Sequence, residues 1–347
     1  MATKVFVGMS GGVDSSVTAA LLKEKGYEVT GVFMKNWTQD LPGFPCPWKQ
    51  DFNDAKRVAV QLGIDFKVYD FQTDYKQQVV DYMIDEYKSG RTPNPDVMCN
   101  QEIKFKLFLD LALKDGADMI ATGHYARTEN GRLQTAANTD KDQTYFLYRV
   151  TEAALRKTLF PLGDYQTKAE VRTEAQRLDL VTADKKDSQG ICFVGKVGIK
   201  EFLEQYVTTE PGRIIDEYGR TVGEHEGAIF YTIGQRRGLG VGGGLPYYVI
   251  GKDMGKNEVY VSQNLSSDEL WISQIQLTDI HWIRDQPADG RDYQVRTRYR
   301  APLVSGKVEK TNGKYVVYLK EAVRAVTPGQ SAVIYDADTV LGGGIVV

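Results

Sequence analysis

The chain reads as an α/β protein with a doubly wound parallel sheet, followed by a small β-rich central domain and a C-terminal all-β barrel. Three observations predict this. Over roughly the first 125 residues, short apolar runs alternate with helical patterns closed by glycine. A Gly/Ser loop joins the first run to the first helix. Past about residue 205, glycine-rich turns separate short alternating strands, and beyond 271 strand follows strand. Repeated βα units imply a parallel sheet covered on both faces. Such sheets bind ligands at the C-terminal ends of their strands, where the strand order switches.

The elements follow in order. Spacing predicts a buried strand over 4–9, a helix over 13–26, a strand over 28–34 and a helix over 53–62 capped by Asn53. A strand over 66–71, a helix from Thr73 to 87, a helix over 101–114 and a strand over 118–123 complete the βα alternation. Asn130-Gly131 marks a hairpin turn. Helical patterns return at 152–157 and 167–180. Strand patterns at 212–215, 228–233, 247–251 and 258–261 belong to the central part, and those at 294–299, 306–310, 315–319 and 331–335 to the last. The expected divisions are 1–200, 205–270 and 271–347.

Composition narrows the function classes. Of 347 residues, 42% are hydrophobic and 26% charged, as in an ordinary globular protein. Lys+Arg is 43 and Asp+Glu 46, a net charge of −3, so any nucleic acid must meet a local basic patch. Three cysteines make no disulfide framework and fit a reducing compartment, so a cytoplasmic location is expected. The apolar run after Met1-Ala2-Thr3-Lys4 is too short for a signal peptide, and no apolar stretch is long enough to predict a membrane span. The three histidines are scattered and no Cys-x-x-Cys occurs, so no bound zinc or iron–sulfur cluster is expected.

The strongest local feature is Gly8-Met9-Ser10-Gly11-Gly12-Val13-Asp14-Ser15-Ser16, between a strand and a helix. Two glycines let the backbone approach a phosphate, and the helix N-terminus supplies free N–H groups and partial positive charge. The spacing is neither a Walker loop nor a dinucleotide fingerprint. Met34 and Gly123, at the ends of two predicted strands, stand where an adenine and ribose would be flanked. Cys99 follows the stiff segment Asn94-Pro95-Asp96 just ahead of the helix expected from Gln101, a setting that lowers a thiol pKa. Cys192 follows Lys185, Lys186 and a glycine-bearing loop, which also favours thiolate. Either cysteine alone reads more readily as a buried small apolar residue, the commonest fate of a free cysteine. Along 294–307 lie Arg296, Arg298, Arg300 and Lys307 with no acidic residue, and Arg298-Tyr299-Arg300 on a strand would set two arginines on one face with a tyrosine to stack.

Ser10-Gly11-Gly12-Val13-Asp14-Ser15 resembles the signature of N-type ATP pyrophosphatases. The resemblance implies that residues 8–15 hold the pyrophosphate of ATP, with Asp14 organising Mg²⁺ or the phosphates, while a carbonyl oxygen is adenylated. With Asn94-Pro95-Asp96, Cys99, Gly123-His124-Tyr125, Lys141-Asp142-Gln143, 186–193, 230–240 and 341–345, the whole chain is similar to the tRNA-specific 2-thiouridylases. That likeness implies ATP-dependent 2-thiolation of the wobble uridine, U34, of lysine, glutamate and glutamine tRNAs. It implies Cys99 as nucleophile, Cys192 as persulfide carrier and a Cys99–Cys192 disulfide after turnover. It further implies that Asn94, Pro95 and Asp96 meet the target base, with Asp96 in proton transfer, and that Lys141, Asp142, Gln143, Arg298, Tyr299 and Arg300 touch the tRNA. The implied partners are tRNA and a persulfide donor, either a cysteine desulfurase or a sulfur-relay protein. The stretch 36–52 departs from the family pattern, so Cys46 reads as structural or a bystander and is given no catalytic role. Two rival readings explain the loop: a small-molecule amidating ligase of the same ATP class, and a nucleotide-sensing RNA-binding module. Neither accounts for two activated-looking thiols.

Overall fold

The computed structural model describes residues 2–40, 46–186, 198–242, 244–264, 266 and 270–347. A five-stranded parallel sheet forms the N-terminal half. Its strands are β1 (Lys4–Gly8), β2 (Glu28–Lys35), β3 (Asp65–Asp70), β4 (Met119–Ala121) and, after the hairpin strands β5 (Arg127–Glu129) and β6 (Arg132–Gln134), β7 (Thr158–Leu159). The spatial order is β3-β2-β1-β4-β7. The Val5-Phe6-Val7 run makes β1 the central strand, buried on both faces as a parallel sheet requires. From β1 the chain first builds toward β3, then returns to add β4 on the other side. The switch in order therefore lies between β1 and β4, and the loops after both strands open there.

Helix α1 (Val13–Glu24) starts at Gly12 with no side-chain cap, leaving its first-turn N–H groups to other partners. Helix α2 starts at Trp48, not at the expected Asn53, and runs to Leu62, where Gly63 in the left-handed region closes it. A helical run spans 72–88 through a π-type segment, Lys76–Asp81.

The central part is a four-stranded sheet of β8 (Gly212–Asp216), β9 (Thr221–His225), β10 (Tyr248–Asp253) and β11 (Glu258–Ser262), ordered β10-β11-β8-β9. The expected strand over 228–233 is instead a 3₁₀ turn, Ala228–Phe230, packed on that sheet. The C-terminal part is β12 (Trp271–Trp282), β13 (Asp292–Arg296), β14 (Val304–Thr311), β15 (Lys314–Arg324), β16 (Ser331–Asp336) and β17 (Thr339–Val346). The order β12-β15-β14-β13-β16-β17, with β17 pairing back to β12, closes a six-stranded antiparallel barrel.

The barrel is stitched to the N-terminal half. The 127–134 hairpin, turning at Asn130-Gly131 with both φ values positive, adds to the barrel sheet through Val340↔Leu133. Tyr145 Oη donates to the Ser331 carbonyl at 2.9 Å. One buried cluster runs from Val32 and Phe108 through Tyr145 and Tyr148 to Val333 and Tyr335.

Candidate active site

A cavity of about 760 Å³ opens at the C-terminal ends of β1, β2 and β4. Gly8, Met9, Ser10, Gly12, Val13, Asp14 and Ser15 line one side, with Met34 and Gly123 beside them. Asp96, Lys104, His124, Lys141 and Gln143 line it too, and Tyr299 and Arg300 reach in from the barrel.

The loop is held in shape by its own groups. Ser15 Oγ accepts from Ser10 N–H at 3.2 Å and donates to the Gly12 carbonyl at 3.1 Å. Ser16 Oγ donates to the same carbonyl at 2.8 Å. Gly11 has φ +75°, and a Cβ there would fall 2.2 Å from the Asp51 carbonyl oxygen of α2. Gly123 is needed as well, since its Cβ would lie 2.9 Å from Asp14 C and Ser15 N. The Met9 and Val13 side chains are buried core, so only their backbones can serve a ligand. Asp14 accepts from Tyr125 Oη at 2.9 Å and from Lys168 Nζ at 2.5 Å. Lys168 stands in the first turn of its helix, Lys168–Arg177, against the helix dipole. That placement is the sequence signal for it, because a cation there needs an anionic partner. The lysine that precedes the Cys192 segment is also committed: Lys185 Nζ lies 2.8 Å from Asp51 and 2.7 Å from Asp54. Among the described residues no group of three His, Cys, Asp or Glu could hold a metal ion.

The Cys99 region differs from expectation. Asn94 caps a helix that begins at Pro95, its side chain accepting from Val97 N–H at 3.4 Å. The helix continues through a π-type segment, Cys99–Leu107, into Phe108–Lys114. Cys99 is thus one turn inside a helix, not ahead of it, and its thiol is 2% exposed within the apolar cluster. The helix-terminus argument for a lowered thiol pKa loses its basis. Asp96 instead occupies the first turn and faces the cavity. Cys192 lies outside the described residues. Cys46 lines the cavity, and burial pushes its thiol pKa up.

The basic triplet also differs. Strand β13 ends at Arg296, and 297–300 form a turn with Arg300 at φ +62°. The two arginines do not share a strand face. Arg300 lines the large cavity, whereas Arg298 donates to the Ala325 carbonyl at 3.1 Å and lines a second cavity of about 320 Å³ with Thr92, Gln235 and Gln330. Tyr299 lies on Phe146, ring centroids 4.3 Å apart. Lys141 and Gln143 face the large cavity, but Asp142 does not. Asp142 is buried, accepting from Ala136 N–H at 3.0 Å, Thr144 Oγ1 at 2.8 Å and Arg296 at 3.1 Å. Burial pushes its carboxyl pKa above the usual range, with Arg296 pulling the other way. Asp142 therefore ties the barrel to the N-terminal half and offers RNA no surface. Asp142→Ala leaves a buried guanidinium without its carboxylate, and chemical denaturation should show a loss of about 3–5 kcal/mol.

The relatives fit this geometry. Residues 3–196 match the model described as tRNA methyl transferase HUP domain, 200–263 the tRNA methyl transferase PRC-barrel domain, and 272–346 the aminomethyltransferase beta-barrel domain. The chain is 49% identical to the tRNA-specific 2-thiouridylase MnmA of Streptococcus uberis, over 99% of this chain and 95% of that one. It is 48% identical to those of Streptococcus agalactiae serotype Ia and Streptococcus thermophilus, with the same coverage. The chain belongs to the tRNA-specific 2-thiouridylase family. Among solved structures, the U34-tRNA thiolase NcsA of Methanococcus maripaludis matches at 19% identity and TM-score 0.37, over 58% of this chain and 62% of that one, which adds nothing to the assignment. Beyond the residues the family motifs point to, the cavity contains Lys104 and Lys168.

Proposed function

We propose that the chain is an ATP-dependent tRNA-uridine 2-sulfurtransferase that thiolates U34 of lysine, glutamate and glutamine tRNAs. The observation that carries this is a single cavity. It has the uncapped start of α1 and its glycine loop on one side, Asp96 on another, and aromatic and basic residues of a barrel reaching into it. A small-molecule ligase has no use for Tyr299 and Arg300 there.

ATP places its pyrophosphate on the loop and its adenine near Met34 and Gly123. A uridine turned out of its stack meets Asp96. Asp96 takes the N3 proton, the N3 electron pair becomes the N3=C2 bond, and the C2 oxygen attacks the α-phosphorus as pyrophosphate leaves. The terminal sulfur of a Cys192 persulfide, loaded by a desulfurase or relay protein, attacks C2 and expels AMP with the former C2 oxygen. Cys99 thiolate then attacks the Cys192 sulfur. A Cys99–Cys192 disulfide forms, the sulfur stays on C2, and the N3 proton returns. A cellular reductant resets the disulfide, which fits a cytoplasmic enzyme.

The test combines the protein with ATP, Mg²⁺, cysteine, a desulfurase, a sulfur relay and unmodified lysine tRNA, and runs the RNA on a mercury-containing gel. An ATP-dependent retarded band is expected, absent when U34 is replaced by cytidine. ATP cleavage driven by ammonia and a small acceptor, with no band, would favour the ligase instead.

A further inference from the structure

We propose that Lys104 is a further catalytic residue of this site, its ammonium bonding the α-phosphate oxygens of the nucleotide. The inference rests on the thiolation reading above and names a group that reading does not use.

Position carries the argument. Lys104 stands on the helical run that begins at Pro95, the run that carries Asp96. Both side chains line the cavity. At its other end the ammonium reaches the loop side. Lys104 Nζ lies 3.4 Å from His124 Nε2, and His124 follows Gly123, the residue packed against Asp14 and Ser15 at the start of α1. A cation that lines the same cavity as Asp96 and contacts the residue after Gly123 can meet the α-phosphate, which joins the base end to the pyrophosphate end.

His124 aims the cation. Burial and the neighbouring lysine hold the imidazole well below its ordinary pKa, so it is neutral at physiological pH. A neutral ring has one donor and one acceptor nitrogen. The ammonium can only donate, so Nε2 accepts from Lys104 and Nδ1–H donates to Thr122 Oγ1, 2.8 Å away.

The charge is useful twice. During adenylation the oxygen–phosphorus bond forms while the bond from the α-phosphorus to the β-bridging oxygen breaks. When sulfur attacks, the C2–O bond breaks and AMP leaves with that electron pair, gaining one negative charge. A fixed ammonium at the α-phosphate stabilises both changes.

The experiment measures single-turnover AMP release from α-labelled ATP with U34-containing tRNA, for wild type, Lys104→Ala and Lys104→Met. We expect the rate to fall by about 10²–10³ in both variants, with the KM for ATP within about threefold of wild type. Added ethylammonium should restore part of the Lys104→Ala rate in a saturable way, which the loss of a merely structural lysine would not allow. Lys104→Met keeps the aliphatic stem, and its melting temperature is compared with wild type. AMP release within about threefold of wild type in folded Lys104→Met overturns the proposal, as does a loss in Lys104→Ala that no amine restores. Wild type releasing no tRNA-dependent AMP overturns the thiolation reading itself, a result distinct from a failure of the variants.

Discussion

Cys99→Ser is expected to abolish 2-thiouridine formation, by at least about 10³-fold, while single-turnover pyrophosphate release stays within about threefold of wild type. The division follows from geometry. The loop, Asp14 and its partners lie on the cavity wall, and Asp96 is on the first turn of its helix. Cys99 sits one turn further along that helix, buried in the apolar cluster and not among the residues that line the cavity. Adenylation as derived above needs Asp96 and the loop but no thiol. In the proposed scheme, resolution of the persulfide needs Cys99. Serine keeps the size of the residue and removes only its capacity to form a disulfide. Thiolated tRNA is read by the mercury gel, and pyrophosphate by a coupled assay. Parallel loss of both activities would place Cys99 in the first half-reaction and break the scheme.

Gly11→Ala should be the most damaging substitution in the phosphate loop. The new methyl would meet a backbone carbonyl, Asp51 O, at 2.2 Å, on a residue already at φ +75°. Helix α2 cannot easily retreat, because Lys185 ties Asp51 and Asp54 to the segment beyond Thr182, where Arg172 donates to the carbonyls of Ala183 and Lys185. The backbone strain costs about 1–3 kcal/mol, and displacing the loop by an ångström costs on the order of 10²-fold in kcat/KM for ATP. Gly12→Ala is the control. Its Cβ would find only Ser10 Oγ at 3.5 Å, an ordinary contact, so its stability should change by about 0.5 kcal/mol or less. Equal loss of stability at both positions would remove the steric account.

The sequence conveyed the architecture wherever local chemistry is decisive. Val5-Phe6-Val7 followed by Gly-x-x-Gly-Gly can be little else than a buried strand, a tight loop and a helix. Asn130-Gly131 specified a hairpin, although not that the hairpin would extend a barrel two hundred residues further on, a pairing with no local signature. The helix bearing Cys99 was expected to start at Gln101 and starts at Pro95. Pro93 and Pro95 imply extended chain, yet Asn-Pro is also an N-cap followed by the favoured first helical residue, and that pairing prevailed. The π-type segments leave no composition signal, since they shift hydrogen bonds without changing which residues are apolar. Arg298-Tyr299-Arg300 alternates as a strand would, but Arg300 takes the left-handed region and turns the chain. Asp142 looked like surface because its partner, Arg296, is remote in sequence. The Lys168–Asp14 pair is equally long-range, and Lys168 was not among the expected site residues.

The central claim is that the C2 oxygen of the uridine leaves on AMP. A lysine tRNA anticodon stem-loop synthesised with ¹⁸O at C2 of U34 tests it directly. After one round of thiolation, mass spectrometry of the AMP should find the heavy oxygen in its phosphate, in amounts equal to the 2-thiouridine formed. Thiolated RNA accompanied by AMP of natural mass would contradict the account, because the oxygen would then have left by a route that ATP did not activate.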